Sequence, residues 1–266
     1  MTPYMRILAL ALALAAAPLS ASAQDMLDQV DLSTPAFTQA TMTRAQIEAG
    51  IAALTEGQKL DLSDASLNGL DLTGLDMRRT ILQSARLNKA KLAGANLSGV
   101  NFDQAWALGA DLTGANFTGA SMFGSQLVGA MACKADFSGA RIAGDFSKAS
   151  LKEARFDGAD LSADMKNQSM GLMRGVFKSA NLTGASFVKA NLSRVVLEYA
   201  TLNGANLTGA ALNGSELAGA DFLGADVKGA DFNGADVTST HLKGMTNAGD
   251  AANLDKVKNG DRAYRD

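Results

Sequence analysis

The residues that could carry a reaction are few and far apart in the sequence. The chain has one cysteine, Cys133, and one histidine, His241. A zinc site needs several such ligands together, and a Cys–His nucleophilic pair would have to join residues about 100 positions apart. We therefore expect no catalytic residue, no metal site and no cofactor. We interpret the protein as a non-enzyme.

Carboxylates are more numerous. Asp221, Asp226, Asp231 and Asp236 are spaced by five, and each precedes an apolar residue. Paired carboxylates can transfer protons or bind calcium, but only where their side chains converge. What these four residues can do therefore depends on the fold that positions them.

That fold is indicated by a repeat with a period of five. Steps of five from Leu62 meet an apolar residue every time as far as Ile142, and a second run goes from Phe177 to Leu242. An α-helix would spiral these residues around its axis, because five residues advance it by about 500°. A straight strand would send alternate ones to opposite faces. Only a chain that turns a corner in each unit keeps every apolar centre inside.

The residues around each centre support a narrow interior. A small residue, usually alanine, comes two positions before the centre, Asp or Asn often comes directly before it, and glycine often comes two positions after it. The stretch Ala115-Asn116-Phe117-Thr118-Gly119 is a representative unit. Alanine fits a confined interior beside the larger centre, and glycine relieves crowding where the backbone bends.

These units resemble the pentapeptide-repeat family, whose unit is A-(D/N)-L-x-x. The resemblance covers about residues 60–244 and implies an all-β fold, a right-handed quadrilateral β-helix with four units per coil and about nine coils. The centre and the alanine would point inward. The four aspartates would ring one coil, one on each side, so we interpret them as a solvated acidic collar.

The ends and the interruptions of the repeat divide the chain further. Residues 24–42 read as a flexible leader, and residues 43–59 as an N-terminal capping helix that begins with the capping box of Thr43 and Gln46. Residues 245–266 are a C-terminal tail or cap, in which Leu254 and Val257 would make contacts. The register breaks near 143–146 and again at 162–176, which we interpret as a bulge or small loop, with a recognition role left open.

Some outward positions carry apolar side chains, which can mark an interface. Val176 and Val196 are 20 residues apart and would stack on one side of adjacent coils. The candidate interaction surface combines this strip with the nearby loop, and it consists of Trp106, Met165, Met170, Met173, Val176 and Val196.

The first 23 residues are typical of a signal peptide. Arg6 precedes the apolar run 7–17, and Ala21-Ser22-Ala23 forms a cleavage site. The run is shorter than the roughly 20 residues that cross a bilayer. We expect a periplasmic or secreted protein, cleaved after Ala23, without a membrane span.

The function indicated is a non-catalytic exported scaffold or interaction module with an unknown protein partner. A homodimer is left open, and no small-molecule substrate is evident. The net charge of −3 gives no basic footprint for direct nucleic-acid binding. The alternative, suggested by the resemblance, is a DNA-mimicking protein that binds gyrase, a topoisomerase, if the chain is not exported.

The inward assignment predicts the effect of a charge at a centre. We expect Leu207→Asp to lower the melting temperature strongly and to disrupt several coils, because it places an unpaired charge in a narrow apolar stack. Thermal unfolding followed by circular dichroism measures the effect. An unchanged melting temperature would contradict the assignment.

Overall fold

The computed structural model describes residues 30–164 and 173–265. The chain divides into two units, Met1–Val30 and Asp31–Asp266, and the fold below is that of the second. The predicted signal peptide, residues 1–23, and two members of the candidate surface, Met165 and Met170, lie outside the described residues.

The second unit is a four-sided parallel β-helix. Outward residues pair with the residue 20 positions later, as in the series Asp71, Lys91 and Asp111, so four five-residue units complete one coil. This confirms the β-helix that the resemblance of the units implied. The right-handed sense and the number of coils stay predictions.

Hydrogen bonding accounts for each backbone N–H of the unit 115–119. The N–H groups of Asn116 and Phe117 donate to the coils before and after, at 2.9 and 2.7 Å, and that of Gly119 also donates to the next coil. The Ala115 N–H donates to the preceding centre and closes the corner. The remaining N–H, that of Thr118, donates to Oδ1 of Asn116 at 2.9 Å. Asp or Asn before the centre therefore completes the backbone hydrogen bonding.

The corner also explains the glycine. Gly119 has a φ of 66°, and this left-handed conformation is what the third position of a type II turn requires. Tyr199 occupies the same position with a φ of 56°, so the turn accepts other residues at some conformational cost.

The interior is filled by the centres and the alanines. Leu207 and the other centres of both runs are buried. On one side of the helix, Phe117, Phe137, Phe156 and Phe187 form a stack whose ring centroids are 4.9–5.2 Å apart in successive coils. Each large ring contributes roughly 2–3 kcal/mol of burial, so coil stacking supplies the stability of the fold.

The two register breaks meet at one corner. Strands β3 (Ser121–Gln126) and β4 (Arg141–Asp145) pair there with a shift in register, while the short strands β1 (Leu60–Asp61) and β2 (Thr80–Ile81) pair regularly. Asp145 then pairs with Val176, so this coil takes 31 residues instead of 20. The centres Leu161 and Phe177 thus lie on consecutive sides of the β-helix, although they are 16 residues apart in the sequence.

Between residue 30 and the first coil, the chain forms two helices, α1 (Pro35–Thr38) and α2 (Arg44–Ala52). Thr43 and Gln46 form the capping box of α2, and Ile47 is buried against the first coils. Residues 36–41, which we call the strap, do not form a flexible leader. Ala40 pairs with Leu67, and other strap residues bond to Ser66, Asn68 and Asn88.

The C-terminal segment forms a further coil with a longer period. Thr246, Ala252, Lys258 and Tyr264, spaced by six, pair with the four outward residues of the preceding coil. The segment has 3₁₀ turns at Ala248–Asp250 and Gly260–Arg262 rather than an α-helix. Leu254 and Val257 are half-buried against the core, as the sequence predicted. We call residues 246–264 the terminal coil.

Gly144 lies in the shortened unit, where a side chain has no room. A Cβ there would come within 2.7 Å of the carbonyl oxygen of Ser125. We expect Gly144→Ala to destabilise the protein by about 1–3 kcal/mol through overpacking. Chemical denaturation measures the loss, and Gly249→Ala, where nothing lies within 4 Å of the Cβ, is the matched control. Equal stabilities of the two variants would contradict this packing.

Candidate functional surface

Outward side chains form columns along the β-helix, and two neighbouring columns hold the candidate residues. Face A consists of Ser66, Arg86, Trp106, Gln126, Asp145, Val176, Val196, Glu216, Asp236 and Lys258. Face B consists of Asp71, Lys91, Asp111, Met131, Ser150, Asn181, Thr201, Asp221, His241 and Tyr264. In each unit, the residue directly after the centre lies on the same face as the residue directly before the centre.

The strap covers the first part of face A. The ring of Phe37 meets the ring of Trp106 edge-on at 5.0 Å, and the guanidinium of Arg86 lies 5.8 Å from the Phe37 centroid. Trp106 was expected to be exposed, but it is half-buried by this contact. It is therefore part of an internal contact.

Two asparagines hold the strap in place. The Asn68 side-chain amide donates to the carbonyls of Ala36 and Gln39, and that of Asn88 donates to the carbonyl of Phe37. Their Oδ1 atoms accept backbone N–H groups of the next coil at 3.0 Å. In other units, the Asp or Asn before the centre accepts this N–H, but Arg86 and Trp106 have no acceptor at that position. Asn68 and Asn88 therefore complete the backbone hydrogen bonding and also hold the strap.

The valine strip also differs from its prediction. Val176 and Val196 do pair in adjacent coils, but Val196 is only 7% exposed. Arg174 donates to the carbonyl of Arg194 and to Glu216 at 2.9 Å, so its side chain crosses the coil that holds Val196. Met173 packs with its Cε 3.2 Å from the Cβ position of Gly124. The expected exposed strip is therefore wrong for Val196.

The large apolar side chains that are exposed lie elsewhere. Tyr199, Leu223 and Tyr264 are 63%, 56% and 57% exposed, and Met131 is also exposed. Met131, Leu223 and Tyr264 lie on face B, and Tyr199 lies at its corner with face A. We call Tyr199, Leu223 and Tyr264 the face B patch.

Two side chains of this patch pack directly against glycines of the next coil. The ring of Tyr199 lies over Gly219, and Leu223 Cδ1 is 2.9 Å from the Cβ position of Gly244. The Tyr264 ring meets the His241 ring at 4.7 Å. Sequence reasoning missed Tyr199 and Leu223 because it searched only positions before the centre. Both residues could have been found in the sequence as large apolar side chains that come one or two positions after a centre.

The two side chains that could take part in catalysis, Cys133 and His241, have different neighbours. Cys133 Sγ lies 3.3 Å from Ser150 Oγ, and His241 contacts Tyr264. Over residues 30–164 and 173–265, no group of three or more His, Cys, Asp or Glu side chains could hold a metal ion. A cleft of about 370 Å³ on face A is lined by both basic and acidic side chains, and two of them, Arg174 and Glu216, form an ion pair.

The acidic collar is not simply solvated. Asp226, Asp231 and Asp236 accept hydrogen bonds from the terminal coil, and the donors are the amides of Asn247, Asn253 and Asn259 at 2.7–3.0 Å. All three asparagines have a φ between 56° and 58°. The aspartates and asparagines thus attach the terminal coil to the repeats.

These bonds lower the pKa of each aspartate. The bond from Asn247 is the main cause at Asp226, and that from Asn253 at Asp231. At Asp236, burial raises the pKa, but hydrogen bonds from Asn259 and Thr238 outweigh it, so the pKa is again lowered.

A lowered carboxyl pKa makes the attachment dependent on pH. Its stabilisation is present above the unfolded pKa of 3.8 and is lost as the pH falls below it. We expect the terminal coil to open before the other coils below about pH 4. Amide hydrogen exchange, read by mass spectrometry, detects the opening. Equal exposure of all coils on acidification would contradict the prediction.

Asn253→Gly isolates one of these bonds, because glycine accepts the positive φ. We expect the variant to destabilise the terminal coil by about 1 kcal/mol at neutral pH and to lose that difference in acid. A variant effect that does not change with pH would show that the carboxylate is not the partner.

Among the described residues, no helix is long and apolar enough to cross a bilayer. A comparison with curated proteins gave no significant match. Among solved structures, HetL, a protein of Nostoc sp. strain PCC 7120 involved in heterocyst differentiation regulation, is 25% identical over 84% of this chain and 100% of its own, with a TM-score of 0.36.

Two further structures are similar. Rfr23 from Cyanothece 51142 is 31% identical, with 46% of this chain and 64% of Rfr23 covered and a TM-score of 0.26. This chain thus spans just under two thirds of Rfr23. QnrB1, a plasmid-mediated fluoroquinolone resistance protein, is 20% identical over 76% of this chain and 93% of its own, with a TM-score of 0.35.

The family model named "Pentapeptide repeats" matches eight copies, over residues 61–99, 95–139, 176–214 and 205–244. These ranges cover more than half of the chain, and they end where the register breaks and the terminal coil begins. The five-residue unit observed in the coils is the unit of that model. The chain therefore belongs to the pentapeptide repeat family.

Proposed function

We propose that this protein is a non-catalytic, exported scaffold that binds a partner protein through face B. The observation that carries the proposal is the exposure of Tyr199, Leu223 and Tyr264 on a surface built from stacked coils. Exposed apolar groups are costly to leave in water, and clusters of them mark interaction sites.

The chemistry of the patch suits a protein partner. Tyrosine combines a large apolar ring with a polar hydroxyl and loses little conformational freedom on binding, so it is common at interface hot spots. The patch extends over four successive coils, about 14 Å along the helix. A rigid surface of this length can hold an extended segment or the flat side of a folded domain.

The charge distribution favours this function over DNA mimicry. A polyanion mimic needs free carboxylates in a regular array. Here Asp226, Asp231 and Asp236 accept hydrogen bonds from the terminal coil, and Glu216 pairs with Arg174. These carboxylates therefore serve internal contacts.

Export is part of the proposal, and the sequence of residues 1–23 supports it. Sequencing the mature N-terminus and fractionating the cell test it directly. We expect a chain that begins at Gln24 in the periplasm or the medium. An intact Met1 in the cytoplasm would refute export and make gyrase inhibition the next assay.

The use of face B is tested by charging it. We expect Tyr199→Lys with Leu223→Lys to weaken partner binding at least about 30-fold, the effect of losing roughly 2 kcal/mol at a hot spot. The matched control, Ser84→Lys with Asn233→Lys, places the same two charges at equivalent repeat positions beside the column of Ile81 and Asp231, away from face B. In-cell photo-crosslinking from position 223 or 233 identifies the partner, and titration with the purified partner measures affinity.

The proposal for face B fails if the crosslinked partner binds both double variants equally. Sedimentation of the purified protein distinguishes a homodimer, which the same charges would dissociate, from a different partner protein.

A further inference from the structure

Three buried oxygen atoms on face A have no hydrogen-bond partner. They are Gln126 Oε1, Asp145 Oδ2 and Ser147 Oγ. Asp145 is 2% exposed, Gln126 is 5% exposed and Ser147 is fully buried. A buried polar group without a hydrogen-bond partner destabilises the folded state, and an unpaired carboxylate destabilises it more. Three such groups together therefore require an explanation.

The groups lie beside one another because of the register breaks. Gln126 ends β3, Asp145 ends β4, and the two residues are direct partners in the sheet. The shortened unit that contains Gly144 draws the end of β4 inward, and Asp145 is buried there. Ser147 follows two positions later, and its N–H donates to Asp145 Oδ1 at 2.8 Å.

Local hydrogen bonds leave the three oxygens available. The bond from the Ser147 N–H occupies Asp145 Oδ1, so Oδ2 is the free carboxylate oxygen. The Gln126 amide nitrogen donates to the carbonyl of Gly124, which fixes Oε1 as the free end of that side chain. Each group is therefore held with an acceptor atom unused.

We propose that these three residues form a binding site for a hard divalent cation, with calcium as the best fit. One carboxylate, one amide carbonyl and one hydroxyl are the oxygen ligands that such ions prefer. Adjacent coils are about 4.8 Å apart, and a central ion bridges that gap with two Ca–O bonds of about 2.4 Å. Magnesium bonds of about 2.1 Å fit less well, and magnesium gives up its water reluctantly.

The sequence predicted no metal site, and the carboxylates considered there were the aspartates at positions 221–236. The site proposed here uses different residues. With a single carboxylate, the expected affinity is weak, of the order of 10⁻⁴ to 10⁻³ M, the range of extracellular calcium modules. The ion would neutralise Asp145 at the corner where the repeat is interrupted. Calcium should therefore raise the melting temperature.

Terbium luminescence tests the site directly, because Tb³⁺ replaces Ca²⁺ and is excited by energy transfer from a nearby indole. Trp106 is the single tryptophan of the chain, and it pairs directly with Gln126. In the full-length protein we expect saturable, tryptophan-sensitised emission that calcium displaces. We expect Asp145→Asn to weaken terbium binding about ten-fold or more, because it removes the only carboxylate.

Two further variants distinguish loss of the binding site from misfolding. Asp136→Asn, an outward aspartate on another face, is the matched control and should leave the emission unchanged. Gln126→Glu adds a second carboxylate and should tighten both terbium and calcium binding, an effect that misfolding does not produce. The site is refuted if emission is absent, if Asp145→Asn binds terbium as wild type does, or if Gln126→Glu brings no gain. Water alone would then satisfy the three oxygens.

Discussion

The structure depends on hydrogen bonding of the backbone at a corner that recurs every five residues. Four N–H groups of the unit 115–119 donate to backbone carbonyls, and the fifth requires a side-chain acceptor. Asn116 supplies that acceptor, and glycine at position 119 supplies the left-handed turn. With these conditions met, the centres point inward and the coils stack. The interior then has room for one large side chain and one alanine per unit, which fixes the composition of the whole repeat.

The parts of the chain that do not repeat give the sides of the β-helix different properties. The strap covers the start of face A through Phe37, and Arg174 crosses the same face near Val196. The terminal coil uses asparagines to satisfy the aspartates of the last regular coil. Face B keeps Tyr199, Leu223 and Tyr264 exposed. A repeat that is nearly uniform inside thus acquires one side that exposes large apolar side chains.

Local spacing in the sequence predicted the inward centres and the capping box of α2, and the resemblance of the units to the pentapeptide repeat implied the β-helix. The sequence could not predict the position of the strap, since the contact between Phe37 and Trp106 joins residues far apart in the chain. The terminal coil was missed because its period is six. The oxygens of Gln126, Asp145 and Ser147 come together only through the register shift between β3 and β4, which a count of units does not reveal.

The central claim, that intramolecular contacts cover face A while face B stays open, is tested most directly by hydroxyl-radical footprinting of the folded protein. Mass spectrometry would report the oxidation rate of each side chain. We expect Tyr199 and Tyr264 to react rapidly and Trp106 to be protected despite its reactive indole. Phe37→Ala should then increase the oxidation of Trp106. Rapid oxidation of Trp106 in the wild-type protein, unchanged in Phe37→Ala, would contradict the account.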